Sequence, residues 1–237
     1  DLPVEDDGTV TVPVEDLNAG DYTVDVSYGG DNNYKPHNGT GSFSVDKSTP
    51  SVSVEGTDIN YGNDETITVN VTGKNITGNV TIIIDGKEND TIDLTQTEDG
   101  ATAVLNVSGL SAGKHTVEAV YNGDENHYSN QSEDQFEVSK VEPSMEVTPT
   151  DIDYGDDEDI SISLTGVDGG AIPTGSVTVV VTDKNGAVVY YDVVNLEDGK
   201  VTVTAEGLPA GDYDVNVTYG GDKNYTSIKG TNQFSVG

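Results

Sequence analysis

The stretch LNAGDYTVDVSYGGDNNY, running from Leu17 to Tyr34, decides how this chain is read, because its grammar returns at 110–128 and again at 208–225. Gly20, Gly113 and Gly211 mark one point of the three copies and Tyr28, Tyr121 and Tyr219 another, so the chain advances by 93 and then 98 residues. A period that long signals repeated domains rather than a solenoid. In each copy one set of residues alternates with neighbours that are polar except for Val120: Tyr22, Val24, Val26 and Tyr28; then His115, Val117, Ala119 and Tyr121; then Tyr213, Val215, Val217 and Tyr219. Period-two alternation is the mark of a strand with one buried face. The polar Gly-Asp-x-Asn-Tyr run that follows reads as its turn.

Working outward, Gly8, Val10, Val12, Val14 and Leu17 align with Gly199, Val201, Val203, Ala205 and Leu208. Residues 1–46 are therefore expected to supply only the last three strands of a unit, with one face and one edge uncovered. Cleavage, an arbitrary boundary, or completion by another chain would each account for that. The second unit, 47–139, reads as seven short strands: Val52–Val54, Ile67–Val71, Val80–Ile84, Thr91–Leu94, Ala103–Val107, His115–Tyr121 and Phe136–Val138. Turn residues separate them, among them Tyr61-Gly62-Asn63-Asp64 and Asp85-Gly86. The third unit, 140–237, repeats the plan with a longer loop at Gly166–Gly175 and an Asn185-Gly186 hairpin turn. The fold class is all-β: tandem immunoglobulin-like antiparallel β-sandwiches of about seven strands each. The chain's three Phe, at positions 43, 136 and 234, recur at one place in the last strand and are expected core anchors. Pro50 and Pro143 stiffen the short linkers, which predicts an extended rod.

Composition narrows the function classes. A formal charge of −33, from 43 acidic residues against ten Lys and no Arg, makes nucleic acid and anionic membrane poor partners. Without Cys there is neither a disulfide frame nor a thiolate metal site. No apolar run approaches the roughly 20 residues that span a bilayer, and residue 1 begins in mid-pattern, as an internal piece of a longer chain would. Enzyme activity is not expected: the sequence has no GxSxG, P-loop, HExxH or dinucleotide fingerprint, and its histidines, His37, His115 and His127, suggest no catalytic dyad.

The motif L-x-A-G-x-Y-x-V-x-V-x-Y-x-G-D-x-N-Y, followed by a Phe-x-Val strand, resembles the tandem immunoglobulin-like repeats of prokaryotic surface adhesins, most of all the adhesin-like proteins of methanogenic archaea. The resemblance covers the whole chain. It implies an extracellular, cell-surface stalk between an anchored end and a binding tip. It also implies a tyrosine corner at Tyr22 and Tyr213, whose hydroxyl ties the strand start to the preceding loop, with His115 standing in its place in the second unit.

Several residues are candidates for chemistry. Calcium is the candidate cofactor, although none is required: Asp151, Asp153, Asp156, Asp157 and Asp159 crowd one turn with hard oxygen ligands. The loop between the first two strands of a sandwich points toward the next domain, where Asp64 and Asp222 are placed to share an interdomain ion. Asp31, Asp124 and Asp222 are expected to cap turn amides while Tyr34, Tyr128 and Tyr225 pack over the sandwich end; the alternative makes those rings stacking platforms for a sugar. Asn-x-Ser/Thr occurs at Asn38, Asn70, Asn75, Asn79, Asn89, Asn106, Asn130, Asn216 and Asn224, and every one is expected at the surface as a glycosylation acceptor. An intramolecular cross-link would use Lys47 with Asn130, or Thr150 with Gln233.

The sequence reading is thus a structural spacer in a cell-surface adhesin, glycosylated and extracellular. Its host-cell or neighbouring-cell ligand is met by regions outside this segment. Alternatives are a carbohydrate- or protein-binding module acting through the turns, and a surface-layer or filament subunit that self-associates through the incomplete first domain.

Overall fold

A computed structural model describes residues 2–237. The first unit contributes β1 (Gly20–Tyr28) and β2 (His37–Val45), paired antiparallel. The second holds β3 (Ser51–Glu55), β4 (Ile59–Asn60), β5 (Glu65–Thr72), β6 (Asn79–Ile84), β7 (Lys87–Asp93), β8 (Thr95–Gln96), β9 (Gly100–Val107), β10 (Gly113–Tyr121) and β11 (Asn130–Ser139). The third holds β12 (Ser144–Thr148), β13 (Glu158–Thr165), β14 (Ser176–Asp183), β15 (Val188–Asn195), β16 (Lys200–Ala205), β17 (Gly211–Tyr219) and β18 (Ile228–Val236).

In the second unit the sheet β3-β5-β9-β8 faces the sheet β4-β11-β10-β6-β7. In the third, β12-β13-β16 faces β15-β14-β17-β18. Setting aside the two-residue strands β4 and β8, both units are three strands against four, the seven-strand sandwich. The alternation read from the sequence is what fills it. Ile67, Val69 and Val71 from one sheet and Val117, Ala119 and Tyr121 from the other are at most 1% exposed.

In both units the first strand changes sheets. β3 pairs with β5, and the chain then crosses so that β4 runs parallel to β11; likewise β12 pairs with β13 before Ile152 bridges Val236 in parallel. A fully buried glutamate holds each crossover. Glu65 Oε1 accepts the Thr57 amide at 2.7 Å, and Glu158 Oε1 accepts the Thr150 amide at 2.6 Å, with the two threonine hydroxyls adding a bond each at 3.1 and 3.2 Å. The carboxylate thus supplies an acceptor where the chain has left one sheet and not yet joined the other, which offsets part of the cost of burying it; Glu65 Oε2 is left without a partner among the described residues. Sequence reading missed both glutamates. Their shared placement, two residues before the first apolar residue of the second strand and in phase with its buried face, is the signal.

The corner is present three times. Tyr22 Oη donates to Asn18 O at 2.7 Å, Tyr213 Oη to Pro209 O at 2.6 Å, and His115 Nε2 lies 2.7 Å from Ser111 O, so the imidazole spans the same four residues. Each ring stacks on the Phe of the last strand, at 5.3, 5.5 and 5.2 Å for Phe43, Phe136 and Phe234.

The first unit departs from expectation. It forms two strands, not three: Val10, Val12 and Val14 lie outside any strand and are 44, 56 and 62% exposed. Their counterparts β9 and β16 are held by β5 and β13, and no described residue of the first unit supplies such a partner. For the same reason β1 has an open edge where β10 and β17 pair with β6 and β14. Phe43 is accordingly 42% exposed, whereas Phe136 and Phe234 are buried. Phe234→Ala is therefore expected to lower the unfolding free energy of the third unit by about 3–5 kcal/mol, as a core truncation does. Phe43→Ala should change urea unfolding of the chain by less than about 0.5 kcal/mol.

Candidate functional site: the joint between units

After β10 and β17 the chain turns through Gly-Asp-x-Asn, and the aspartate closes the unit from within. Asp124 Oδ1 accepts the Asn126 amide at 2.8 Å and meets His127 Nδ1 at 2.8 Å, while its Oδ2 accepts the amide and hydroxyl of Thr77 at 3.0 and 2.8 Å. Asp222 does the same with the amides of Asn224 and Tyr225 at 2.8 and 2.9 Å, and with the amide and hydroxyl of Thr174 at 2.9 and 3.2 Å. Burial works against charge on both carboxyls. The bonds from Asn126, Thr77 and His127 at Asp124, and from Thr174, Asn224 and Tyr225 at Asp222, outweigh it and hold both below the usual carboxylate range. Thr77-Gly78 and Thr174-Gly175 stand just before the third long strand of their units, a repeated pair that a sequence reading could have used.

The asparagine of the same turn faces outward, across the joint. Asn126 Oδ1 accepts the Ala19 amide at 2.8 Å, and Asn224 Oδ1 accepts the Ala112 amide at 2.9 Å. That amide is available because the strand begins at the next residue, the Gly of Leu-x-Ala-Gly. The linker is bonded as well. Ser48 and Val141 each make a parallel bridge to the turn of the unit they enter, and Lys47 and Lys140 direct their Nζ to the carbonyls of Asp124 and Asp222.

The second joint adds an aromatic lock. Tyr61 is 7% exposed; its hydroxyl accepts the Ala171 amide at 2.8 Å, and its ring meets Tyr225 edge-on at 5.4 Å and 88°. The Tyr225 hydroxyl donates to Ala171 O at 2.6 Å. Gly62 is held at φ +92°, and a Cβ there would lie 2.7 Å from Val167 Cγ2 and 2.9 Å from Asp168 O. The longer loop of the third unit is thus the clasp around Tyr61. In the first joint its counterpart offers only the Lys74–Asp16 ion pair at 2.7 Å, whose side chains are 76 and 74% exposed and which contributes little.

The sequence pattern of the family described as Bacterial Ig-like domain (group 3) matches residues 52–139 and 145–237. The chain belongs to that family. No curated protein matches it. Among solved structures, a tetra-tandem repeat in the extending region of a large adhesion protein is similar at TM-score 0.52 and 22% identity, covering 99% of this chain and 62% of that one. The Yersinia pseudotuberculosis adhesin InvE gives TM-score 0.41 at 12% identity over 79% of this chain and 60% of its own. A two-domain fibronectin type III segment of chicken tenascin gives 0.41 at 14% over 78 and 99%. This chain therefore spans about three fifths of the adhesion-protein structure, and what the two share is the fold.

With the Ig-like units in place, the sequence-predicted residues fall as follows. Among the described residues no group of three or more Asp, Glu or His is gathered as a metal ion requires. Asp151 Oδ1 accepts the Ser235 amide at 2.7 Å and Asp159 Oδ1 the Thr204 hydroxyl at 2.6 Å, while Asp153, Asp156 and Asp157 spread along an exposed turn. Asp64 is exposed, and Asp222 is turned into its own unit, so the two do not meet across the joint. Asn38, Asn70, Asn75, Asn89, Asn106 and Asn216 are exposed; Asn79, Asn130 and Asn224 are half-buried, contrary to expectation. Asn130 Nδ2 donates to Pro50 O at 2.9 Å, Asn79 Oδ1 accepts from Asn122, and Asn224 is the joint itself. The turn aromatics also need correction. The residue equivalent to Tyr225 is His127, buried, whereas Tyr128 is 55% and Tyr34 70% exposed. The cross-link pairs are not brought together, since Lys47 is bonded to Asp124, Asn130 to Pro50, Thr150 to Glu158 and Gln233 to Asp214.

Two outcomes follow from this geometry. Asn224→Ala should speed amide exchange of Ala112 about tenfold without lowering the melting temperature of either Ig-like unit, as read by NMR. The depressed pKa values of Asp124 and Asp222 add stability that is whole above the unfolded-state value of about 4 and decays as pH falls below it. Relief of general charge repulsion runs the other way, so the comparison isolates the effect: between pH 5 and pH 3, Asp222→Asn should lose less of its urea midpoint than the unaltered protein.

Proposed function

We propose that this chain is a spacer that carries tension in the stalk of a cell-surface adhesin, holding a binding region away from the cell as a row of Ig-like units. The observation that carries it is the joint. One turn of the second unit, and likewise of the third, is bonded at once to its own core, to its linker and to the unit before it. The accessible surface of 14,681 Å² supports an extended chain, since a compact monomer of this mass exposes about 10,000 Å². The extending region of the large adhesion protein is built from repeats of the same fold. The likeness to methanogen adhesins rests on the repeated motif, and the extracellular setting on the adhesin reading.

Force suits the architecture. The chain enters the third unit beside its exit strand, and the Ile152 amide to Ser235 O, the Gly237 amide to Ile152 O and the Tyr154 amide to Gly237 O tie the two in parallel at 3.0, 3.0 and 2.7 Å. Tension along the row shears these bonds together. The six exposed sequons are the proposed glycan sites, and the ligand is met outside this segment. Burial of Tyr225 in the joint withdraws one of the three turn rings from sugar stacking. A second reading, completion of the first unit by another chain, is favoured by the open edge of β1 with Val24 and Val26 at 43 and 60% exposure. It predicts concentration-dependent size-exclusion elution, and the spacer reading predicts none.

Pulling the chain from its ends by atomic force spectroscopy should give two unfolding peaks, each releasing about 300 Å of extended chain. The same protein should show no binding on glycan arrays or host cells. Specific saturable binding, or extension without peaks, would contradict the proposal.

A further inference from the structure

We propose that the far end of the third unit is a docking socket for a further repeat unit that presents a Gly-Asp-x-Asn-Tyr turn. The second joint shows what such a socket contains: Tyr61, Gly62 and the Ala112 amide, received by Asn224 and Tyr225 of the next unit. The third unit carries the same three features in the same places. Asp153-Tyr154-Gly155 corresponds to Asn60-Tyr61-Gly62, with Gly155 at φ +105° against +92° for Gly62. Leu208-Pro209-Ala210-Gly211 corresponds to Leu110-Ser111-Ala112-Gly113, and the corner bond from Tyr213 to Pro209 fixes the loop as His115 fixes its counterpart.

What differs is cover. Tyr61 is 7% exposed and Tyr154 72%, the most exposed of the large hydrophobic side chains. The environment of the ring changes while the backbone that presents it does not. A large aromatic left in water beside an acidic turn makes no contact that would explain it within its own unit. Opposite a Tyr225-like ring it would gain an edge-on partner and an amide donor, as Tyr61 does. The occupant is specified by chemistry: an asparagine carbonyl to take the Ala210 amide, a tyrosine to meet Tyr154, and a loop with glycine opposite Gly155, as Gly169 and Gly170 stand opposite Gly62. A turn with histidine, like that of the second unit, would meet the asparagine requirement and leave the aromatic one unmet. In the aligned units Gly237 corresponds to Ser139, so a unit added after Gly237 through a Lys140-type linker keeps the register of the second joint. The proposal concerns this surface and does not depend on the adhesin reading.

The test is the full chain extended after Gly237 by a second copy of residues 140–237, followed by amide exchange of Ala210. The extension should slow Ala210 exchange about tenfold, and Asn→Ala in the added copy at the position of Asn224 should abolish the slowing while the added unit stays folded by its own amide spectrum. Tyr154→Ala should weaken the protection in the extended chain and leave the melting of the unextended chain unchanged. An unrelated β-sandwich joined through the same Lys-Val-Glu-Pro linker serves as control. Unchanged Ala210 exchange beside a folded added unit would overturn the proposal, and so would equal protection from the unrelated sandwich.

Discussion

The carboxylate of Asp222, and of Asp124 before it, accepts four hydrogen bonds in a half-buried turn, and the rest of that end of the second and third units depends on that constraint. Burying a carboxylate costs less when its lone pairs are met. Meeting them fixes the loop that carries Thr174 on one side and the amides of Asn224 and Tyr225 on the other. With those amides fixed, the Asn224 side chain has one direction left to point, out of the unit and into the neighbour. Asp31 shows the incomplete case: it still caps Asn33 and Tyr34, but without a threonine loop it takes the Tyr28 hydroxyl instead.

A tandem protein must solve two problems with the same residues, closing each sandwich and setting the angle to the next. Here the two solutions are adjacent in sequence, aspartate for the first and asparagine for the second. The linkers add little freedom, because Lys47 and Lys140 and the bridges at Ser48 and Val141 attach them to the unit they enter. The joints are nonetheless not equal. The second has the Tyr61 lock and the glycine-rich clasp, whereas the first has the asparagine bridge and a solvent-exposed ion pair. The contacts at the joints are therefore graded by loop length and by one aromatic residue, with the same fold throughout.

Most of the fold was legible in the sequence because a half-buried strand writes its period directly into the chain, and three aligned copies average out the noise. The corner was legible for the same reason, and His115 proves a fair substitute since its ring nitrogen reaches the same carbonyl. The joint was half legible. That the turn would face the neighbouring unit follows from topology, but which polar residue points across does not. Asp64 and Asp222 carry the charge that suggests an ion, yet the bond is made by the neutral Asn224. Strand parity placed Asn70, Asn106 and Asn216 correctly in solvent and had nothing to say about Asn224, which lies in a turn. Glu65 and Glu158 were hidden by composition, since 43 acidic residues make any one of them look like surface. The third strand of the first unit failed for lack of a partner, which no pattern within residues 10–17 can reveal.

The central claim is that two Ig-like units are joined as one stiff body through the Asn224 and Tyr61 contacts. Residual dipolar couplings measured for both units in one weakly aligning medium test it most directly. The account predicts a single alignment tensor, with the same magnitude and orientation from the second unit as from the third. Two tensors of clearly different magnitude would show that the units reorient independently, and would contradict it.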